Sequence, residues 1–281
     1  MAEFTAADVG KLREMTGAGL MDCKKALTET KGDISAAVDY LRKKGTVSAA
    51  KKASRQTREG AIVQYIQPGA GMGLLVEINC ETDFVARNET FGAFCAEVTR
   101  KLAAQGSLAS LEADRVAAVA KIGENIQIPR FVRYEVQGNG MIAAYIHTGA
   151  KVGVLVEVGA AKDSTIGQED FKQLVRDITL QIAAGNPLFI SREEIPAATL
   201  AKEREIAAEQ VKNKPPQAIA KIVEGKLEKF FQGCCLLDQG FVKRNSEVSL
   251  KEHIGGIAKQ LGDDLVIRRF ARFQVGETPA A

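Results

Sequence analysis

His147 and His253 are the only two histidines, and they are the first places to look for acid–base or metal chemistry. Neither lies in an H-E-x-x-H, G-x-S-x-G or Cys-His arrangement, so no nucleophile or metal pair is built around them. Five cysteines, Cys23, Cys80, Cys95, Cys234 and Cys235, are odd in number and include no C-x-x-C pair. They predict reduced, mostly buried thiols rather than a disulfide framework or a zinc site. The carboxylate pairs Glu193-Glu194 and Asp263-Asp264 fall at expected helix starts or turns, where the helix dipole accounts for them. Gly69, Gly71 and Gly73 resemble a phosphate loop in density, but they are expected between two strands, and no Lys-Ser or Lys-Thr follows. A hairpin turn explains them better. With no catalytic set, metal site or cofactor motif, the chain is expected to act by recognition.

The elements that must present such a surface are written twice. Segment GAIVQYIQPGAGMGLLVEI, from Gly60, matches GMIAAYIHTGAKVGVLVEV, from Gly140, without a gap and at a shift of 80 residues (140 − 60). Two strands around a glycine-containing turn predict a β-hairpin in each copy. In this register His147 falls on Gln67, which makes it a polar turn residue before it is anything else. The same shift lays Phe91, Phe94, Val98 and Leu102 on Phe171, Leu174, Ile178 and Ile182, each set on one helical face. A second match, IPRFVRYEV ending at Val136 and IRRFARFQV ending at Val275, runs at a shift of 139 (275 − 136) and closes each copy with a strand. A helix ending near Gly123 or Gly262 precedes each. The fold expected is α+β, with a core of hairpin, helix, helix and strand, built twice with antiparallel sheets.

The two shifts differ by 59 residues (139 − 80), an insertion in the second copy, about 190–232. It splits at Pro215-Pro216 into helices carrying Leu200, Ile206 and Val211, and Ile219, Ile222, Val223, Leu227 and Phe230. These predict an antiparallel helical hairpin whose stripes cover each other, a dimer-forming arm being the alternative. Residues 5–44 predict three short helices, with Val9 and Leu12, then Cys23, Ala26 and Leu27, then Ile34, Ala37, Val38 and Leu41 inward. The turn Thr16-Gly17-Ala18-Gly19 leads into Leu20 and Met21, which so small a bundle cannot easily bury. The segment from Gly45 to Glu59 is basic and short of large apolar residues, marking a helix extension or linker. The expected domains are 1–45, a linker at 46–59, then 60–139 and 140–281.

Bulk properties agree with a protein-binding role. The chain has 281 residues, 46% hydrophobic, enough for more than one compact unit. Net charge is +3 with 26% charged residues, which favours neither nucleic acid nor membrane as partner. No basic leader or spanning apolar run is evident, so a cytoplasmic location is expected.

Positions that differ between the copies are free to carry function. Between hairpin and helix, NCETDFVARNETF, from Asn79 to Phe91, aligns with GAAKDSTIGQEDF, from Gly159 to Phe171. Asp83 falls on Asp163, but Phe84 falls on Ser164 and Val85 on Thr165, so this apolar pair is not needed to build the corner. A local cap on the core is one role for Phe84. An apolar anchor beside a carboxylate on a loop, Thr82-Asp83-Phe84-Val85, is the other.

With these residues in view, the chain resembles the bacterial elongation factor Ts family, the nucleotide-exchange factors of elongation factor Tu. The motifs are TGAGLMDCKKAL from Thr16, NCETDFVARN from Asn79, AKIGEN from Ala120 and HTGAKVGVLV from His147. The resemblance implies a ubiquitin-associated-type N-terminal bundle, two related core subdomains and a helical arm. It also implies GDP-bound elongation factor Tu as partner, gripped through Leu20 and Met21. The loop Thr82, Asp83, Phe84 and Val85 would dislodge that partner's Mg2+, and His147 would face another of its domains. Longer relatives continue into a further helical module, whereas this sequence ends at Gly276-Glu-Thr-Pro-Ala-Ala, so that module's contacts are not carried over.

Overall fold

The computed structural model describes residues 4–277. Among these residues it is an α+β protein with eleven α-helices and two three-stranded antiparallel sheets. The chain opens with α1 (Ala6–Thr16), α2 (Leu20–Glu29) and α3 (Ile34–Lys52). Thr5 and Asp8 form a reciprocal capping box on α1, and Asp33 caps α3 by accepting from Ala36 N at 3.0 Å. Val9, Leu12, Cys23, Ala26, Leu27 and Ala37 form the centre of this bundle. The basic segment is helical as far as Lys52, so α3 is longer than the three-short-helix pattern implies. Its far end is a packing surface: Ala49 is buried in the first core, and a methyl group at Gly45 would sit 3.5 Å from Ala120 Cβ.

The first core copy runs β1 (Glu59–Ile66), β2 (Met72–Cys80), α4 (Asp83–Ala86), α5 (Glu89–Gln105), α6 (Glu112–Ile122) and β3 (Gln127–Glu135). The second begins with β4 (Gly140–Ile146), β5 (Val152–Ala160), α7 (Asp163–Ile166) and α8 (Glu169–Gly185). Then come α9 (Ala197–Glu209) and α10 (Pro216–Cys234), and the copy closes with α11 (Leu250–Leu261) and β6 (Leu265–Gln274). The sheet orders are β1-β2-β3 and β4-β5-β6. Each central strand is buried along almost its whole length, because one face meets its own helices and the other meets the opposite sheet.

The sheets are related by an approximate two-fold that is visible residue by residue. Ile62 N donates to Ala150 O at 2.7 Å, and its counterpart Ile142 N donates to Ala70 O at 3.0 Å. Arg130 lies over the Phe273 ring and Arg269 over the Tyr134 ring, each at 4.3 Å. Buried Glu77 accepts from Arg130 Nε at 2.7 Å, and buried Glu157 accepts from Arg269 Nε at 2.7 Å. Burial pushes the Glu157 carboxyl up, but the Gln137 N–H and the Arg268 and Arg269 guanidiniums outweigh it and hold the group below its ordinary value. Between the sheets lie Ile62, Leu75, Tyr134, Ile142, Leu155 and Phe273.

Gly73 corrects the hairpin-turn expectation, because it lies in β2 paired with Ile66 and Tyr134. A Cβ there would come within 2.5 Å of Ile142 Cγ2, and one at its counterpart Gly153 within 2.4 Å of Ile62 Cγ2. The glycines set how closely the sheets approach. Gly69 does occupy the turn, at φ 87°.

The helices α9 and α10 pack on each other through Ala207, Val211, Val223 and Leu227, with Leu200, Ile219 and Ile222 beside them. Ile206, expected inward, is 41% exposed, and Ala207 takes its place one residue along the helix. All five cysteines are free and buried.

Candidate functional site

The corner after β2 is built from its hydrogen bonds outward. Thr82 is extended (φ −125°, ψ 154°), and its hydroxyl accepts from Val85 N at 3.3 Å, so it caps the single turn α4. Asn88 then starts α5 by accepting from Thr90 N at 2.7 Å. Glu124, just beyond α6, accepts from both Glu81 N and Thr82 N at 3.0 Å and from the Thr82 hydroxyl at 2.6 Å. Beneath, the Cys80 thiol donates to Thr82 O at 3.2 Å, and burial pushes it up to about 12.

The four loop residues divide by direction. Thr82 is held inward, and Val85 is half-buried against the first core together with Ala86. Asp83 is partly exposed and pairs with Arg87 at 3.2 Å. Phe84 is 83% exposed, the most exposed large apolar side chain among the described residues, so it does not cap the core. A protein that leaves a phenylalanine in water forgoes ~1.5–3 kcal/mol of burial, which a partner surface can recover.

A second exposed apolar group lies at the turn from α1 to α2. Gly17 ends α1 in the left-handed region (φ 66°), and the Thr16 hydroxyl donates to Leu12 O at 2.7 Å and accepts from Ala18 N at 3.3 Å. Cys23, Ala26 and Leu27 face inward, which turns Leu20 (52% exposed) and Met21 (72%) outward. Met15, on the last turn of α1, is 60% exposed, and the sequence reading missed it. The signal was an apolar residue beside the turn left unassigned to the inward set Val9 and Leu12.

His147 begins the β4–β5 turn, its N–H donating to Val152 O and its carbonyl accepting from Ala150 N, each at 2.9 Å. The ring is exposed and shares a hydrogen bond with the Tyr145 hydroxyl at 3.0 Å through Nδ1. Gln67 makes the same two backbone bonds in the first copy, to Met72 and Ala70. The candidate residues therefore come from three separate elements: the α1–α2 turn, the corner after β2 and the β4–β5 turn.

Glu124 also escaped the sequence reading, although it stands in the AKIGEN motif. Asp263, read there as a helix-dipole carboxylate, has a specific partner set: it accepts from Lys162 N at 3.0 Å and the Thr165 hydroxyl at 2.6 Å. The shift of 139 lays Glu124 on Asp263 (263 − 124), so a shared carboxylate was the available signal.

Among the described residues no group of three or more His, Cys, Asp and Glu side chains could hold a metal, and no helix is long and apolar enough to cross a membrane.

The family model described as Elongation factor TS matches residues 81–277. The chain is similar to Elongation factor Ts of Symbiobacterium thermophilum, 45% identical over 99% of this chain and 93% of that protein. It is 40% identical to Elongation factor Ts of Nostoc punctiforme, over 99% of this chain and 94% of the relative. With that of Nitratidesulfovibrio vulgaris it shares 39%, over 99% and 98%.

Proposed function

The chain belongs to the elongation factor Ts family, and from that premise we propose that it is the guanine-nucleotide exchange factor of elongation factor Tu. It binds the GDP-bound GTPase and speeds GDP release so that GTP can enter, without covalent chemistry of its own. The observation that carries the mechanism is Phe84, 83% exposed on a corner whose neighbours are pinned.

Phe84 is the wedge. Where a partner-bound Mg2+ helps hold GDP, a small displacement of the partner's helices by Phe84 would weaken that hold. Asp83 supplies negative charge beside the phosphates rather than a metal ligand. Thr82 and Val85 hold the corner. Each tenfold gain in release needs ~1.4 kcal/mol of differential stabilisation, within reach of one buried aromatic contact. The coupling is reciprocal: bound GDP weakens the grip of this chain by the same factor, so neither complex becomes a trap.

Leu20 and Met21 dock the N-terminal bundle, of ubiquitin-associated type, on the GTPase domain, and His147 faces a second domain of the partner. The units doing this are the N-terminal bundle, whose α3 runs on to Lys52, and the two core copies, 60–139 and 140–281. Ala207, Val211, Val223 and Leu227 pack on one another across the arm while Ile206 stays exposed, and that shared core favours a self-contained arm over a dimer contact. Release of a fluorescent GDP from elongation factor Tu, timed with substoichiometric chain, tests the reading. Faster release with turnover is expected, and an unchanged rate contradicts it.

A further inference from the structure

The exposed corner is held by one side chain from a distant part of the sequence. Glu124 follows Gly123, whose φ of 91° ends α6 just before the chain enters β3. Its Oε2 accepts from Glu81 N and Thr82 N, and its Oε1 accepts from the Thr82 hydroxyl. The Thr82 hydroxyl in turn accepts from Val85 N, so the carboxylate reaches both residues that flank Asp83 and Phe84. Asn125 N donates to Glu81 Oε1 at 2.6 Å, returning the contact from the next residue. These contacts are made by the chain on its own.

The second copy supplies an internal comparison. Asp263 follows Gly262 as Glu124 follows Gly123, and it holds the corresponding corner through Lys162 N and the Thr165 hydroxyl. There the N-cap Lys162 makes no side-chain cap. Where Phe84 stands in the first copy, the second has Ser164. In the first copy one carboxylate takes two consecutive N–H groups and the hydroxyl of the cap itself, whereas in the second the matching N–H groups of Ala161 and Lys162 go separately to Asp264 O and Asp263.

We propose that Glu124 is the positioning residue of the Thr82–Val85 corner, fixing it before the partner arrives so that Phe84 is presented in its working geometry. This rests on the exchange function proposed above. A side chain ordered in advance loses little freedom on contact, and an anchor that must be placed accurately gains most in the step that depends on placement. Loss of Glu124 should therefore slow exchange at saturation more than it weakens docking, which Leu20 and Met21 carry from another element.

The test uses the full chain and elongation factor Tu loaded with a fluorescent GDP, titrated to saturation, with Glu124→Ala, Glu124→Gln and Asp263→Ala beside the unaltered chain. Amide hydrogen exchange at Thr82 and Val85 is measured without the partner. Glu124→Ala should lower kcat roughly tenfold, equivalent to about 1.4 kcal/mol, with KM little changed, and should speed amide exchange at both positions. Glu124→Gln keeps one carbonyl oxygen for the two N–H groups, so it folds even where the alanine variant does not, and its kcat should lie between the other two. Asp263→Ala removes the matching carboxylate and should leave kcat unchanged. A normal kcat in both Glu124 variants overturns the proposal, as does an equal fall in kcat with Asp263→Ala. If the unaltered chain does not accelerate release, the exchange function falls and the positioning role with it. The amide measurement then still shows separately whether Glu124 orders the corner.

Discussion

Phe84 and Val85 are chain neighbours that face opposite ways: the phenylalanine stands in solvent at 83% exposure while the valine packs against the first core. The single turn of α4, capped by Thr82 and closed by Asn88 N donating to Val85 O at 2.9 Å, enforces this division. It separates the side chain that packs in the fold from the one left in solvent. Val85→Asp should therefore lower stability by roughly 2–3 kcal/mol through a desolvated carboxylate, while Phe84→Asp should stay within about 0.5 kcal/mol of the original. Urea unfolding of the two variants measures both.

Leu20 and Met21 should act on affinity alone. Replacing each by serine is expected to raise the partner concentration for half-maximal exchange roughly tenfold, the effect of losing a central apolar anchor of ~1–2 kcal/mol. The rate at saturation should stay the same, which steady-state exchange kinetics will show.

Close approach of the two sheets gives a stability test away from the proposed docking surfaces. A Cβ at Gly153 would meet Ile62 Cγ2 at 2.4 Å, so Gly153→Ala should cost about 1–3 kcal/mol through overpacking. Gly71, with nothing within 4 Å, should accept alanine at no cost or with a gain of up to ~1 kcal/mol. Thermal melting of the pair provides the comparison.

Burial pushes the thiols of Cys80, Cys95 and Cys235 up to about 12. At pH 8 a chromogenic disulfide should react slowly with the native chain and rapidly with all five cysteines in guanidinium. Because these folded values are raised, their contribution to stability is fully present below the unfolded value near 9 and is lost as pH climbs towards 12. Melting temperature measured across that window should fall less steeply for Cys80→Ala than for the original chain.

Much of this is legible in the duplication, because two copies of one fold mark which positions the fold requires. It set Phe84 apart from Ser164, and Phe84 is 83% exposed. It misjudged Val85, since valine and threonine have nearly the same shape: Thr165 is buried and bonded to Asp263, and Val85 fills the same place with methyl groups. The paired glycines Gly73 and Gly153 were visible, but their purpose lay in a sheet-to-sheet contact that a pattern along one strand cannot show. Glu124 was hidden for the same reason, its partners being more than 40 residues away. In the arm, Ile206 was assigned by apolarity alone, whereas the helix phase buries the smaller Ala207.

The most direct test compares the original chain with Phe84→Ala in release of fluorescent GDP from elongation factor Tu, with kcat and KM resolved by titration. The account expects kcat to fall roughly tenfold, about 1.4 kcal/mol of lost differential stabilisation, while KM and melting temperature hold. Unchanged kcat, or a loss of activity that follows unfolding of the variant, would contradict it.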